Sequence, residues 1–338
     1  MPTVSVIVPN YNYKNYLPLR MESIFNQTFQ DFEVIILDDN SRDNSKSVIE
    51  NFRNHSKVSH IVYNNVNSGS PFIQWDKGIL LAKGEWIWIA EADDLADKYL
   101  LEKLVANTFK SDSVVISYCQ SYRMDAEGNL IGNWKDWTSV FETDIFEADF
   151  LMKGYEYIDS YLYKRNTIPN ASAVIFNKSV YLKIGKVDTD LRFCSDWLTW
   201  LKMLMVGDIA YCSNLLNYFR QHNESVIASA NKDKYLFLYK YDISMRKRFL
   251  KFISSRKDLN ISQMLKKKIT ETFRLEIAVE YEMDAQFFKD NGLKVKSGIN
   301  LLFSLPYTNN KKHIIYIFLI RYILPRWLIS FIKKLITK

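Results

Sequence analysis

The chain has 338 residues, of which 48% are hydrophobic and 25% are charged, and its formal net charge is +7. This composition excludes a disordered chain, and the length suits one large domain with an appendage or two domains. The charge is uneven, because residues 1–230 hold 22 Lys and Arg against 29 Asp and Glu, whereas residues 231–338 hold 23 against 9. We therefore expect an acidic domain over 1–230 and a basic, helical region over 231–338.

The acidic part of the chain alternates two hydrophobic patterns. Short β-branched and apolar runs predict strands, and they are separated by stretches whose apolar residues recur at helical spacing. Such alternation is typical of right-handed crossovers and a mostly parallel α/β sheet. The predicted strands are 4–8, 32–37, 60–63, 86–90, 114–118 and 173–176, and the predicted helices are 14–29, one beginning near Ser45, 74–82 and 262–290.

Acidic residues follow two of these strands directly. Glu91, Asp93 and Asp94 come after the apolar run 86–90, and Asp38 and Asp39 follow the strand 32–37. The carboxyl ends of parallel strands meet at one edge of a sheet, which is where open α/β folds bind ligands. Three carboxylates in four residues repel one another, so we expect a divalent cation among them. The alternative is a solvated helix N-terminus, where acids are also favourable.

Five segments, in this order, resemble family 2 of the inverting glycosyltransferases. The resemblance covers about residues 3–225 and implies the GT-A fold, a Rossmann-like and mostly parallel sheet with flanking helices. A nucleotide-binding half would span about 1–110 and an acceptor half about 111–230. The segments are VSVIVPNYN (4–12), FQDFEVIILDDNSRDNS (29–45), KGILLAKGEWIWIAEADD (77–94), FNKSVYLKIGKVDTDLRFCSDWLTWL (176–201) and YFRQHNES (218–225).

The resemblance implies transfer of a sugar from a nucleoside diphosphate, with UDP favoured, to a hydroxyl of a glycan or lipid-linked acceptor in bacterial surface-polysaccharide synthesis. The chain departs from the usual pattern in three places. Glu91 replaces the first acid of the DXD motif, Ser195 replaces a common Glu, and Trp75-Asp76 replaces a common Arg-Asn pair. The last change puts a nucleotide contact by Asp76 in doubt.

Site roles follow from the same resemblance. Asp196 is the expected base that takes the acceptor proton, although its place before a helix pattern also suits an N-cap. A Mg²⁺ or Mn²⁺ ion suits all-oxygen coordination, with His222 as an added ligand. The expected metal ligands are Asp93, Asp94, Glu91 and His222, and the expected nucleotide-sugar contacts are Pro9, Asn10, Tyr11, Asp38, Asp39, Asn67, Asp76, Asp93 and Arg220.

The end of the chain, 311–338, is basic and strongly apolar. Ile314–Ile332 nearly spans a membrane in length, but Arg321, Pro325 and Arg326 interrupt it. Basic residues after Pro325 share one helical face, and residues 291–338 hold nine Lys and Arg and no acid. We expect an amphipathic helix on an anionic membrane surface, and a helix packed on the body of the protein is the alternative.

The remaining sequence features bear on location. Cys119, Cys194 and Cys212 have no metal-ligand or disulfide spacing, and the N-terminus runs directly into a strand pattern without a signal peptide. These features predict a cytoplasmic protein. Together with the basic and apolar end of the chain, they predict peripheral association with the inner face of the plasma membrane.

Other classes of protein fit less well. A processive polysaccharide synthase would need a QxxRW motif and several membrane helices, and a dinucleotide oxidoreductase or a pyrophosphorylase would need a Gly-rich phosphate loop. The basic residues of the last region lie among apolar ones, so we expect no nucleic-acid partner. A non-catalytic, nucleotide-sugar-binding membrane scaffold remains as the alternative function.

Overall fold

The computed structural model describes residues 1–168, 170–222, 234–259, 262–290, 292, 294–318 and 322, without the side chains of 234–239, 294, 295 and 316. The chain divides into two compact units, Met1–Asn231 and Lys232–Lys338. The predicted split of function between an enzyme domain and a membrane-binding region stays a prediction.

The first half of unit 1 is built from strands and helices in alternation. The strands Val4–Asn10, Phe32–Asp38 and Trp86–Ile89 are buried along their whole length, which is what a sheet covered on both faces requires, whereas Val58–Tyr63 is mostly half-buried. The elements are β1 (Val4–Asn10), α1 (Leu17–Phe25), β2 (Phe32–Asp38), α2 (Ser45–Glu50), β3 (Val58–Tyr63), α3 (Pro71–Leu81), β4 (Trp86–Ile89), β5 (Leu95–Ala96) and α4 (Leu100–Thr108).

Two predicted helices have different bounds in the structure. The helix expected over 14–29 is shorter, because Pro18 favours a start at Leu17 and the chain leaves the helix at Asn26. The helix expected over 74–82 begins earlier, at Pro71, where a proline loses no intrahelical hydrogen bond.

The second half of unit 1 completes the sheet with longer and partly antiparallel strands. The strand expected over 114–118 continues to Met124, because its polar residues pair with the long strand Asp208–Arg220. The elements are β6 (Val114–Met124), β7 (Leu130–Asn133), α5 (Lys135–Thr138), β8 (Phe150–Met152), α6 (Gly154–Tyr157), a π-helix (Ile158–Leu162), β9 (Val174–Asn177), α7 (Lys178–Lys183), α8 (Ser195–Leu204) and β10 (Asp208–Arg220).

One ten-stranded sheet joins both halves. Its order is β3-β2-β1-β4-β9-β6-β10-β5, with β7 beside β6 and β8 beside β10. The strands β3, β2, β1 and β4 are parallel, and β9 runs antiparallel to both β4 and β6. The mostly parallel α/β fold predicted from the sequence is confirmed, with an antiparallel insertion at β9. The ends of β2, β1 and β4 therefore lie side by side.

Unit 2 is helical in the residues described. Buried apolar residues Ile269, Phe273 and Ile277 recur every four residues along its longest helix, as the sequence pattern predicted. The helices are α9 (Lys234–Ser255), α10 (Gln263–Asp290), α11 (Lys294–Ser304) and α12 (Lys311–Phe318).

The end of the chain is only partly described. Residues 311–318 form α12, whereas the predicted amphipathic helix after Pro325 lies outside the described residues. Among the residues that are described, no helix is both long and apolar enough to cross a membrane. The expected membrane contact therefore stays a prediction.

Candidate active site

Polar residues tie together the loops that follow β1 and β2. The Asn10 side-chain amide donates to Asp38 Oδ1 at 2.7 Å, and the Ser41 hydroxyl donates to the same oxygen at 2.6 Å. Asn12 and Asn40 adopt left-handed backbone conformations, which asparagine tolerates better than most residues. Both loops are thereby held at one edge of the sheet, at the end of the two strands.

The Asp39 carboxylate is hydrogen-bonded to other residues of the protein. Its carboxylate accepts hydrogen bonds from Asn64 Nδ2, Gln74 Nε2 and both the backbone and hydroxyl of Ser68, over distances of 2.6 to 3.0 Å. The Asn67 amide donates to the Asp39 carbonyl at 3.0 Å. A carboxylate offers about four acceptor positions. A nucleotide donor would therefore have to displace one of these partners, and the expected role of Asp39 in nucleotide binding stays a prediction.

Two other predicted nucleotide contacts differ in their surroundings. Tyr11 follows β1 directly and is 41% exposed, so its ring is accessible, while Pro9 lies buried within β1. Asp76 on α3 is engaged by the Tyr181 hydroxyl and the Lys186 ammonium, each at 3.2 Å. The structure thus gives Asp76 a partner in α7 and in the segment that follows it.

Two of the three departures from the family pattern meet in the structure. Trp75 on α3 is buried, and its indole N–H donates to Glu91 Oε1 at 2.9 Å. The Glu91 backbone N–H donates to the Ser172 hydroxyl. Glutamate is one methylene longer than the aspartate usual at this position. A longer acid in the loop after β4 is therefore paired with an indole donor on the neighbouring helix.

Asp93 and Asp94 point to different partners. Asp93 Oδ2 lies 2.9 Å from His222 Nε2, and these side chains are 15% and 4% exposed. Asp94 is buried and accepts from the backbone N–H of Arg220 at 2.9 Å. The end of β10 is therefore anchored on the acidic loop that follows β4, through both Arg220 and His222.

The Arg220 side chain serves this anchoring as well. Its Nε donates to the Asp93 carbonyl at 2.7 Å, and its Nη1 donates to the carbonyls of Asp125 and Ala126. The guanidinium also lies 4.6 Å from the centre of the Tyr16 ring. These hydrogen bonds occupy part of the Arg220 guanidinium, which was expected to contact phosphate. A contact of Arg220 with the diphosphate therefore stays a prediction.

The acidic loop has a buried cation beneath it that the sequence analysis missed. Arg20 on α1 is fully buried 5.0 Å from the Trp88 ring centre, and its side-chain nitrogens have no hydrogen-bond partner among the described residues. Burial lowers the Arg20 pKa to about 10, against the opposing effect of Asp94 and Asp93. Arg20 lies on the same buried face of its helix as the apolar residues Leu17, Met21 and Ile24. A charged residue at an apolar position of the helical pattern could have predicted its burial.

The loop as a whole is short of positive charge. Burial and the nearby charge of Asp93 raise the Glu91 pKa to about 8 and the Asp94 pKa to about 7. Within the described part of the chain, no three His, Cys, Asp or Glu residues are arranged to hold a metal ion. Asp93 and His222 are the adjacent pair among the four predicted ligands, and ligation by Glu91 and Asp94 stays a prediction.

Asp196 lies in the first turn of α8. The helix is preceded by Cys194 in a left-handed conformation, and the Cys194 side chain makes no capping hydrogen bond. Asp196 is therefore not the N-cap, and that alternative is wrong. Its Oδ2 accepts from Asn166 Nδ2 at 3.1 Å, and burial raises its pKa.

Aromatic contacts connect α8 to the acidic loop. Trp200 lies one turn after Asp196, and its ring centre is 6.4 Å from that of Trp75, which binds Glu91. On the other side, the Trp197 indole donates to the Leu162 carbonyl at the end of the π-helix. These two anchors fix the start of α8, and with it the carboxylate of Asp196.

The comparison with known families decides the assignment. The model of glycosyl transferase family 2 matches residues 5–184. The chain belongs to glycosyl transferase family 2. This places it among glycosyltransferase enzymes, as the sequence resemblance predicted.

A relative and two solved structures illustrate this membership. The chain is 29% identical over 182 residues to the GalNAc(5)-diNAcBac-PP-undecaprenol beta-1,3-glucosyltransferase of Campylobacter jejuni, over 54% of this chain and 57% of that protein. TarS 1–349 of S. aureus in complex with UDP-GlcNAc matches with a TM-score of 0.67 at 17% identity, over 92% and 83% of the two chains. The mannosyltransferase PcManGT from Pyrobaculum calidifontis, in complex with GDP-Man and Mn²⁺, matches with a TM-score of 0.54 at 14% identity, over 93% and 78%.

These matches have defined limits. The alignment with the C. jejuni relative spans little more than half of that protein's length. At 17% and 14% identity, the two solved structures show the shared fold alone.

Proposed function

We propose that the chain is a metal-dependent inverting glycosyltransferase that moves a sugar from a nucleoside diphosphate to a hydroxyl of a glycan or lipid-linked acceptor. The observation that supports this most is the adjacent pair of Asp93 and His222 in a buried acidic loop at the end of β4. Parallel α/β sheets bind ligands at this edge.

The donor atoms of this loop suit a divalent cation. Asp93 and His222 supply an oxygen and a nitrogen at neighbouring positions. Burial and the charge of Asp93 raise the pKa of both Glu91 and Asp94, and a cation bound beside them would favour their ionised form. Mg²⁺ is commonly held by one or two protein groups together with substrate phosphates. When bound, such a cation neutralises the charge that develops on the leaving diphosphate. The Mn²⁺ in the PcManGT complex agrees with this choice of metal.

We infer that Asp196 is the base. The acceptor hydroxyl transfers its proton to the Asp196 carboxylate as its oxygen attacks the anomeric carbon. Attack from the face opposite the leaving diphosphate inverts that carbon, through a transition state with oxocarbenium character. Burial raises the Asp196 pKa, which makes its carboxylate a stronger base than an exposed aspartate. Asn166 holds the carboxylate by a hydrogen bond to Oδ2, and the backbone N–H groups of Trp197 and Asp196 hold it as well, so its orientation is fixed before the acceptor binds.

The donor would bind at the ends of β1 and β2. We infer contacts of the nucleoside with Pro9, Asn10, Tyr11, Asp38 and Asp39, where the exposed Tyr11 ring can stack on a base. UDP is the favoured nucleotide, and the TarS complex with UDP-GlcNAc is consistent with this choice. Asn67, Asp76 and Arg220 position neighbouring loops and would act on the donor mainly through those loops.

The acceptor and the location complete the proposal. The name of the C. jejuni relative describes an acceptor linked to undecaprenol through a diphosphate, and we propose an acceptor of this general kind in surface-polysaccharide synthesis. The excess of Lys and Arg over 231–338 would attract an anionic membrane surface at the cytoplasmic side.

Replacement of the base tests this function. Asp196→Asn keeps the shape of the side chain and its contact with Asn166, but it cannot accept the proton. We expect transfer from a UDP-sugar to lipid-linked glycans extracted from membranes to fall by at least about a hundredfold, since a general base contributes about that much or more. Donor affinity should be unchanged.

The matched control is Asp190→Asn, an exposed aspartate that lies before the same helix. It should transfer sugar at the wild-type rate. Loss of donor affinity with transfer largely intact would contradict the base assignment. Donor binding without turnover in the wild-type chain would favour the non-catalytic scaffold.

A further inference from the structure

An arginine next to the base region stacks on an exposed tryptophan. The Arg165 guanidinium carbon lies 4.0 Å from the ring centre of Trp137, which is 38% exposed. Arg165 Nη1 donates to the Trp137 carbonyl at 2.8 Å, so the plane of the guanidinium is fixed from two directions. This geometry holds the cation in place before any ligand arrives.

The charge of Arg165 has no acidic partner in the part of the chain that the structure describes. No carboxylate of the described residues forms an ion pair with it, and burial lowers its pKa without an acidic group to oppose the shift. Its Nε and Nη2 donors take no partner in the same part of the chain. Arg123 is the instructive contrast, because it lies 5.8 Å from the Trp134 ring centre but is paired with Asp136 at 3.0 Å.

One residue connects this pair to the proposed base. The Trp137 indole N–H donates to the Asn166 carbonyl at 2.8 Å, and the Asn166 side chain donates to Asp196 Oδ2 at 3.1 Å. Arg165 is the chain neighbour of Asn166. Arg165, Trp137 and Asn166 therefore form one connected group that contacts the carboxylate of Asp196 through Asn166.

We propose that Arg165, held by Trp137, binds an oxyanion carried by the acceptor sugar or attached directly to it. This inference rests on the proposed function, because it places the acceptor beside Asp196. A planar guanidinium with two neighbouring N–H donors matches the oxygens of a carboxylate or a phosphate, which a single ammonium cannot do equally well. Binding there fixes the acceptor hydroxyl relative to the base.

Two sources supply this chemistry. A uronic acid carries a carboxylate on the sugar ring, and a sugar linked through its anomeric oxygen to a lipid diphosphate carries a phosphate. Both place the oxyanion within one residue of an accepting hydroxyl. The test below includes a probe for each source.

The experiment measures binding of three small probes to the full chain in the presence of UDP, by saturation-transfer NMR titration. The probes are methyl β-D-glucuronide, α-D-glucose 1-phosphate and the neutral methyl β-D-glucoside. We expect one of the two anionic probes to bind at least about tenfold more tightly than the neutral one, since a hydrogen bond to a charged group contributes enough for this. The anionic probe that is preferred identifies the source.

Variants assign this preference to Arg165. Arg165→Gln should abolish the preference, Arg165→Lys should retain part of it, and the matched control Arg123→Gln should leave it intact. Thermal unfolding of each variant checks the fold, and Arg165→Lys carries the comparison if Arg165→Gln does not fold.

Several results would overturn the inference. These are equal binding of neutral and anionic probes, equal losses in Arg165→Gln and Arg123→Gln, or no probe binding while UDP still binds. The last result leaves the proposed function standing. Absence of UDP binding by calorimetry would instead remove the proposed function, and this inference with it.

Discussion

At the scale of single residues, two departures from the family pattern compensate each other. Glu91 is longer than the usual aspartate, and Trp75 replaces a basic residue on α3. The Trp75 indole N–H donates a hydrogen bond of 2.9 Å to the Glu91 carboxylate. Neither substitution is interpretable by itself from the sequence. The pair is visible only once α3 and the end of β4 are packed together.

The Trp75 hydrogen bond gives a prediction about stability. Trp75→Phe removes the indole donor and leaves the buried Glu91 carboxyl without it, whereas Trp200→Phe removes an indole N–H that has no partner among the described residues. Both changes remove a similar volume. We expect Trp75→Phe to lower the free energy of unfolding by about 1–3 kcal/mol more than Trp200→Phe does.

Denaturant unfolding of the two variants beside the wild type measures this difference. Equal losses in the two variants would mean that the bond between Trp75 and Glu91 contributes nothing beyond packing.

The site was predictable residue by residue only in part. Five acidic residues were predictable because they come directly after apolar strands: Asp38, Asp39, Glu91, Asp93 and Asp94. Arg165 and Asn166 carry no comparable signal, since they follow an irregular π-helix and reach Asp196 only through the fold. The protein partners of Arg220 were not predictable either, because they are backbone carbonyls of distant segments.

At the scale of elements, α6 is held against the end of α8 by a close backbone contact. A Cβ atom added to Gly154 would lie 2.0 Å from the Gly207 carbonyl oxygen and 2.2 Å from the Leu204 carbonyl oxygen. Backbone atoms cannot move aside as a flexible side chain can. The residue that begins α6 must therefore be glycine if α8 is to keep its position.

This contact predicts a large effect for a small change. Gly154→Ala should lower the free energy of unfolding by at least about 2 kcal/mol, because the added methyl group forces the backbone apart. The control is Glu156→Ala, an exposed position in the same helix, which should change stability by no more than about 0.5 kcal/mol. Thermal unfolding followed by circular dichroism measures both, and an unchanged Gly154→Ala protein would contradict the packing described for α6.

The elements themselves were largely predictable, and the exceptions have physical causes. Buried strands such as β1, β2 and β4 are continuous apolar runs that need no tertiary information. Four strands were missed, which are β5, β7, β8 and β10. Of these, β7 and β8 are short and lie at the edge of the sheet, where their residues are exposed or half-buried and give no clear apolar pattern. Their pairing depends on the long strands β6 and β10 rather than on their own pattern.

At the scale of the whole molecule, unit 2 contains a cluster of buried charges. Arg246 on α9 is fully buried and pairs with Asp242 at 2.7 Å, with Glu276 at 4.0 Å. Burial, followed by the charge of Asp242, raises the Glu280 pKa to about 8, and burial raises the Asp284 pKa to about 6. The apolar stripe of α10 was predictable, but this polar core was not, because acids every four residues usually mark a solvated face.

Glu280 makes the stability of the chain depend on pH. Its pKa is raised from 4.5 to about 8 on folding, so the folded state holds a proton that the unfolded state has already released over that range. The contribution of Glu280 to stability is therefore fully present below about pH 4.5 and is lost as the pH rises through about 8. Glu280→Gln cannot ionise and should lose less stability than the wild type between about pH 6 and about pH 8.

Denaturant midpoints of the wild type and of Glu280→Gln at both pH values test this prediction. Since other buried acids titrate in the same range, the comparison between the proteins isolates Glu280. Identical pH dependence in the two proteins would contradict a raised pKa at this position.

The central claim concerns a metal-assisted nucleotide site formed by Asp93 and His222. Calorimetric titration of the full chain with UDP, GDP and dTDP, with and without Mn²⁺, tests it most directly. We expect one nucleotide, UDP, to bind only with Mn²⁺, and we expect His222→Ala to weaken this binding at least about tenfold. His313→Ala, an exposed histidine on α12, should bind as the wild type does. Nucleotide binding that is unaffected by Mn²⁺ and by His222→Ala would contradict a metal-assisted site at Asp93 and His222.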